Sequence, residues 1–153
     1  MHTLELKIPP VVLMLLIALA MWYTYVVVPS VDLPFGARAI AALLLALVGT
    51  GISIAGVISF RQAKTTVNPT KPNSTSALVS TGIYGVTRNP MYLGFLLALL
   101  GWATFLSNAF ALIGPVTFVL YMNRFQISPE ERALSAIFGA DFSSYKSRVP
   151  RWL

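Results

Sequence analysis

The sequence predicts an all-α, polytopic membrane protein. Four or five transmembrane helices are expected, the last two a helical hairpin, followed by short C-terminal cytosolic helices. Three observations predict this. Hydrophobic residues make up 56% of the chain and charged residues 10%, against about 25% charged in soluble domains. Four apolar stretches, at about 10–28, 39–60, 91–106 and 109–122, contain no charged residue. Lys and Arg then fall almost entirely on one side of the topology those stretches imply. A chain of 153 residues has a large surface for its volume, so a shortage of polar groups is tolerable in a bilayer and not in water.

The first stretch is long, ends in Trp22, Tyr23 and Tyr25, and is followed by no small-residue cleavage site. It therefore reads as a retained helix rather than a signal peptide, with those aromatics in an interfacial belt. The second stretch exceeds the roughly 20 residues that a span requires. Within it Gly49, Gly51 and Gly56 favour close helix packing, the other reading being close approach of a ligand to the backbone. The 61–90 segment is polar, and its 61–80 part is rich in Thr, Asn, Pro and Ser, which marks a loop. Connectors of that length are uncommon, and ordered ones are often functional. The stretches 91–106 and 109–122 are short and separated only by Ser107 and Asn108, which predicts a tight hairpin. Helices are expected over 129–153, and 1–153 forms a single domain.

With four crossings, the N-terminus, the 61–90 loop and the C-terminal tail share one side. That side carries Lys7, Arg61, Lys64, Lys71, Arg88, Arg124, Arg132, Lys146, Arg148 and Arg151, and the other carries Arg38. Positive charge collects on the cytoplasmic side, so both termini and the loop are expected there. The formal charge of +6 is thus accounted for by topology and anionic headgroups, and nucleic acid is not expected as a partner.

Composition narrows the chemistry. There is no cysteine, and the only histidine is His2, so disulfides, thiolate nucleophiles, Cys or His metal centres and Ser-His-Asp triads lack their material. The acidic residues are Glu5, Asp32, Glu130, Glu131 and Asp141. Two polar segments remain. One, 76–94, ends in Arg88-Asn89-Pro90 at the start of the third apolar stretch. Asn is a good N-cap and Pro suits the first helical turn; a helix start also favours an anion. Either this segment simply begins a helix, with Arg88 snorkelling to headgroups, or it cradles a carboxylate. The other segment starts at Ser128-Pro129-Glu130-Glu131. Ser128 and Glu131 have the spacing of a capping box, with Gly139 closing the helix. That accounts for Glu131 and leaves Glu130 to meet a cationic group. Tyr84 and Tyr92 border the first segment and suit the core or a ligand equally. Phe95, Trp102, Phe105, Phe110, Phe118 and Tyr121 read as packing or lipid contacts.

The order of several motifs is specific: Leu78-Val79-Ser80-Thr81-Gly82-Ile83-Tyr84, then Arg88 to Gly94, then Glu130-Glu131, then Phe138 to Tyr145, then Arg148-Val149-Pro150-Arg151-Trp152. Together they resemble the isoprenylcysteine carboxyl methyltransferase and phospholipid methyltransferase family, of a bacterial or archaeal type, over about the C-terminal half of the chain. The resemblance implies a membrane enzyme that uses S-adenosylmethionine, yields S-adenosylhomocysteine, needs no metal and has no Rossmann domain. It implies that Ser76, Ala77, Leu78, Val79, Tyr84, Asn89, Pro90, Met91, Tyr92 and Glu130 line the cofactor site, with Arg88, Arg124 and Gln126 toward the substrate. Many members carry His where this chain has Asn89, and the prenylcysteine enzymes carry Arg where spacing from Glu130 puts Gln126.

The implied acceptor is a lipophilic or lipidated molecule entering from the bilayer, methylated as in isoprenylcysteine carboxyl O-methylation. No catalytic acid or base is assigned, because a carboxylate acceptor needs only positioning. The alternatives are phosphatidylethanolamine-type N-methylation, an NADPH-dependent membrane reductase of related fold, and a non-catalytic membrane scaffold.

Overall fold

The computed structural model describes residues 5–63 and 78–153. The fold among them is helical: α1 (Pro10–Val27), α2 (Phe35–Gln62), α3 (Pro90–Leu106), α4 (Ile113–Tyr121) and α5 (Ser128–Arg148). Three helical stretches are long and apolar enough to cross a membrane: Pro10–Val27, Phe35–Gln62 and the continuous Ala109–Arg148. At 17 residues, α3 sits at the lower edge of the spanning range. The outward faces of α1 and α2 carry large apolar side chains such as Leu15, Leu19, Leu43 and Leu47, each more than half exposed. Water does not tolerate so continuous an apolar face, whereas lipid does.

The bundle is held by its smallest residues. A Cβ on Gly49 would lie 2.6 Å from the Gly94 carbonyl oxygen, and one on Gly56 would lie 3.1 Å from Pro90. The backbones of α2 and α3 touch there, as small residues permit within membranes. Gly51 has open space around it, so it faces away from the contact that its neighbours make. The main core joins Leu13, Ile17 and Met21 of α1 to Leu99 and Ala103 of α3 and Phe118 of α4. The Trp102 indole N–H donates to the Ala18 carbonyl at 3.0 Å, which satisfies a polar group that lipid would leave unpaired.

The expected hairpin is formed. Ser107 ends α3 in the left-handed region (φ 52), and its backbone and hydroxyl exchange hydrogen bonds of 2.7 Å with Val31. Asn108 caps a short 3₁₀ turn over Ala109–Leu112 by accepting from the Phe110 N–H. It also donates to the Val28 carbonyl at 3.0 Å. The two connections at this end of the bundle are therefore tied together. At the opposite end lie the end of α2, the start of α3 and the polar C-terminal segments.

Beyond α4 the structure departs from expectation. The chain does not leave the helix near Met122. It passes through a π-helical turn, Met122–Ile127, straight into α5. Ser128 has helical angles, and its hydroxyl donates to the Asn123 carbonyl at 2.7 Å. The anticipated capping box is therefore absent, because a helix that is already running offers no free N-terminus to cap. Pro129 has no N–H for the carbonyl of Phe125, and Leu6 supplies one instead, at 3.0 Å. Gly139, with φ +50 and ψ −116, kinks α5, so the first helical segment closes at the glycine expected to close it.

Candidate functional site

The start of α3 meets the π turn and α5 at a compact polar cluster. The Tyr92 hydroxyl donates to Glu130 Oε1 at 2.6 Å. Gln126 Nε2 donates to the same oxygen at 2.6 Å and lies 3.5 Å from the Tyr92 hydroxyl. Tyr92 and Gln126 are buried, and Glu130 is half-buried. Both donors converge on Oε1, and Oε2 has no hydrogen-bond or ion-pair partner among the described residues. Burial opposes the carboxylate's charge while the two donors support it. The sequence spacing could have revealed the Gln126–Glu130 pair, since residues four apart meet on one helical face.

Glu131 lies one residue on and turns to different partners. Arg88 reaches its Oε1 at 2.8 Å, the Arg151 guanidinium straddles both oxygens at 3.1 and 2.7 Å, and Lys146 approaches to 3.8 Å. Arg88 is thus half-buried and turned inward to a carboxylate, with 11% side-chain exposure, which corrects the expectation that it snorkels to headgroups. A two-pronged Arg–carboxylate contact is both strong and directional.

The same tail closes over the loop that precedes α3. The Arg88 N–H donates to the Pro150 carbonyl at 3.0 Å. Asn89 occupies the N-cap position of α3 without capping it, and its side-chain amide donates instead to the Arg151 carbonyl at 2.9 Å. The Trp152 indole donates to the Asn123 side chain at 3.1 Å. The tail, the pre-α3 loop and the π turn are therefore one joined unit.

The remaining residues singled out from sequence fall around this unit. Leu78 packs against Phe142, Tyr145 and Val149, and Val79 is buried. Tyr84 is buried, its ring edge-on to Phe60 at 5.1 Å, and its carbonyl accepts from the Tyr145 hydroxyl at 2.8 Å. Burial, then Tyr145, then Glu130 push the Tyr84 phenol well above its ordinary range, so it stays protonated. Pro90 is fully buried against Gly56, and Met91 is half-buried beside it. Arg124 is exposed. Ser76 and Ala77 lie outside the described residues, as do His2, Lys64 and Lys71. The structure thus brings Tyr92, Glu130 and Gln126 into direct contact and draws Arg88 away to Glu131. Sequence reasoning missed the tail contacts of Asn123, Arg151 and Trp152, which join residues far apart in the chain.

The model of the phospholipid methyltransferase family matches residues 37–141. The chain belongs to that family. A Schizosaccharomyces pombe protein-S-isoprenylcysteine O-methyltransferase is 28% identical over 113 residues, covering 72% of this chain and 47% of that protein. The corresponding Saccharomyces cerevisiae enzyme is 36% identical over 83 residues, covering 52% of this chain and 34% of that protein. An uncharacterized Haemophilus influenzae protein is 46% identical over 63 residues, 41% of this chain and all of that protein. The chain thus spans about half, or less, of the named methyltransferases it matches. No solved structure matches it.

Proposed function

We propose that this protein transfers a methyl group from S-adenosylmethionine to a lipophilic acceptor that enters from the bilayer. The observation that carries the reading is the Tyr92–Gln126–Glu130 cluster at the start of α3, in which Glu130 Oε1 is held by two donors and Oε2 has no partner among the described residues. Oε2 is the atom we assign to the cofactor's ammonium group. The donor set fits this: a carboxylate for the cation, and at the start of α3 an end that favours an anion and whose N-cap side chain is engaged elsewhere. Leu78, Val79, Tyr84, Pro90 and Met91 complete the site, with Ser76 and Ala77 assigned to it by motif.

The cofactor would supply a methyl group already activated by a positively charged sulfur. The chain's own part is to bind, orient and exclude water, which suits a site without histidine or cysteine. The relatives named as isoprenylcysteine O-methyltransferases support a carboxylate acceptor, which needs no base. The family description supports phospholipid as the second acceptor class. Gln126 and Arg124 are assigned to the acceptor side. The one-sided distribution of Lys and Arg supports a cytoplasmic site with both termini on that side.

Purified protein incubated with methyl-tritiated S-adenosylmethionine, a membrane lipid extract and a prenylcysteine analogue should pass label into the organic phase. S-adenosylhomocysteine should bind, and NADPH should not quench the tryptophans. Absence of binding together with absence of transfer refutes the assignment and leaves the scaffold reading; NADPH quenching favours the reductase.

A further inference from the structure

A groove lies toward the other end of the bundle. Its volume between α2 and α3 is about 280 Å³, close to the lower end of the ~300–1,000 Å³ typical of ligand sites. Ala42, Leu43, Ala46 and Ala98 line it, Trp102 and Phe105 border it, and at Gly101 the two backbones touch, since a Cβ there would lie 2.9 Å from the Ala42 carbonyl oxygen. These two rings stack, with centroids 5.6 Å apart and planes 15° apart. The groove belongs to the apolar middle and far end of both helices. Its α3 lining runs from Ala98 to Phe105, about 9 to 20 Å beyond Tyr92 at 1.5 Å per residue, and shares no residue with the Glu130 cluster.

At its end stands Arg38, one helical turn before Ala42. The guanidinium carbon sits 5.5 Å from the Phe35 ring centroid and 5.8 Å from that of Phe105. Arg38 makes no ion pair among the described residues, and its Nε is buried without a hydrogen-bond partner. It is the only Lys or Arg between Lys7 and Arg61. A cation held by aromatic faces at the end of an otherwise apolar span is costly unless an anion meets it.

We propose that this groove binds one anionic phospholipid, its phosphate on the Arg38 guanidinium and an acyl chain along the small-residue floor between α2 and α3. The charge selects the occupant. A guanidinium matches phosphate oxygens in a two-pronged contact, the groove wall is apolar, and the groove supplies no carboxylate that would favour the cationic headgroup of a zwitterionic lipid. This site is independent of the methyl-transfer reading.

Native mass spectrometry of the full chain, released from detergent micelles with added phosphatidylglycerol or with diacylglycerol of the same acyl chains, tests it. The wild-type protein should retain one phosphatidylglycerol about fivefold more tightly than the diacylglycerol, the attraction of about one Lys or Arg to an anionic lipid. Arg38→Gln should abolish that preference. Ala46→Leu, which fills the groove and leaves the charge, should weaken both lipids. An undiminished preference in Arg38→Gln overturns the proposal, as does undiminished binding of both lipids in Ala46→Leu. A dimer that Ala46→Leu dissolves while lipid binding persists assigns the groove to a second copy of the chain instead.

Discussion

Glu130→Gln removes a charge at nearly constant size, and its effect can be worked out from the cluster. The carboxylate oxygen Oε1 accepts two hydrogen bonds of 2.6 Å, from Tyr92 and Gln126. A glutamine can keep its amide oxygen in that place and leave both donors satisfied, so the fold should survive. Its NH₂ then stands where Oε2 stood, and a donor faces the cofactor's ammonium in place of an acceptor. A hydrogen bond to a charged group contributes about 1.5–3 kcal/mol, and each 1.4 kcal/mol is a factor of ten in affinity. Titration calorimetry of S-adenosylhomocysteine in micelles should therefore show binding weakened roughly tenfold to 150-fold. Tyr92→Phe, which removes a donor to Glu130 rather than a contact to the ligand and keeps the charge, acts indirectly and should cost less, about 1 kcal/mol, or roughly fivefold. An unchanged affinity in a folded Glu130→Gln protein refutes the role given to Oε2. A Tyr92→Phe loss exceeding that of Glu130→Gln would show that the tyrosine, and not the charge, holds the ligand.

Two further outcomes are expected. Glu131→Gln strips Arg88, at 11% side-chain exposure, and Arg151, at 31%, of their shared carboxylate. Breaking a buried pair from one side costs about 3–5 kcal/mol, and the partial exposure of Arg151 puts this case near the lower figure. Thermal unfolding in micelles should show a large drop, whereas Lys146→Ala, which removes an exposed contact of 3.8 Å, should cost under about 0.5 kcal/mol; equal stabilities would dismiss the ion-pair hub. Because the chain has no cysteine, single cysteines at the exposed positions Asp32 and Ser144 report sidedness. A membrane-impermeant maleimide applied to intact cells should label Asp32→Cys and spare Ser144→Cys, and the reverse pattern would invert the proposed orientation.

The spans were legible because lipid permits long uncharged runs and water does not, and that contrast is written directly in composition. The start of α3 was legible because Pro90 at a first helical turn is a local signal. The α4–α5 junction was not. Ser128 and Glu131 have the spacing of a helix start, but whether a start exists depends on whether the residues upstream have already left the helix. Within the π turn that carries the chain through, the Phe125 carbonyl accepts from a distant N–H, that of Leu6. The tail contacts were hidden for the same reason: Asn89 with Arg151 joins positions 62 residues apart, and no periodicity encodes such a pair. Gly49 and Gly51 show the limit inside a helix. Both are small, but only one faces α3, and two residues along a helix turn the side chain to another face.

The adjacent pair Glu130-Glu131 shows how one short motif serves two ends. Neighbours on a helix do not face the same way, so a single turn of α5 presents one carboxylate to Tyr92 and Gln126 and the other to Arg88 and Arg151. Glu131 gathers the tail, and the tail carbonyls of Pro150 and Arg151 receive the Arg88 N–H and the Asn89 amide. Those two residues immediately precede Pro90, so the contacts fix where α3 begins. The position of that first turn sets Tyr92, and Tyr92 holds Glu130. The ionic neighbour is therefore structural in its contacts and positional in its consequence. It holds the α3 start against α5, so that a half-buried carboxylate with two neutral donors keeps a constant place at the end of the bundle.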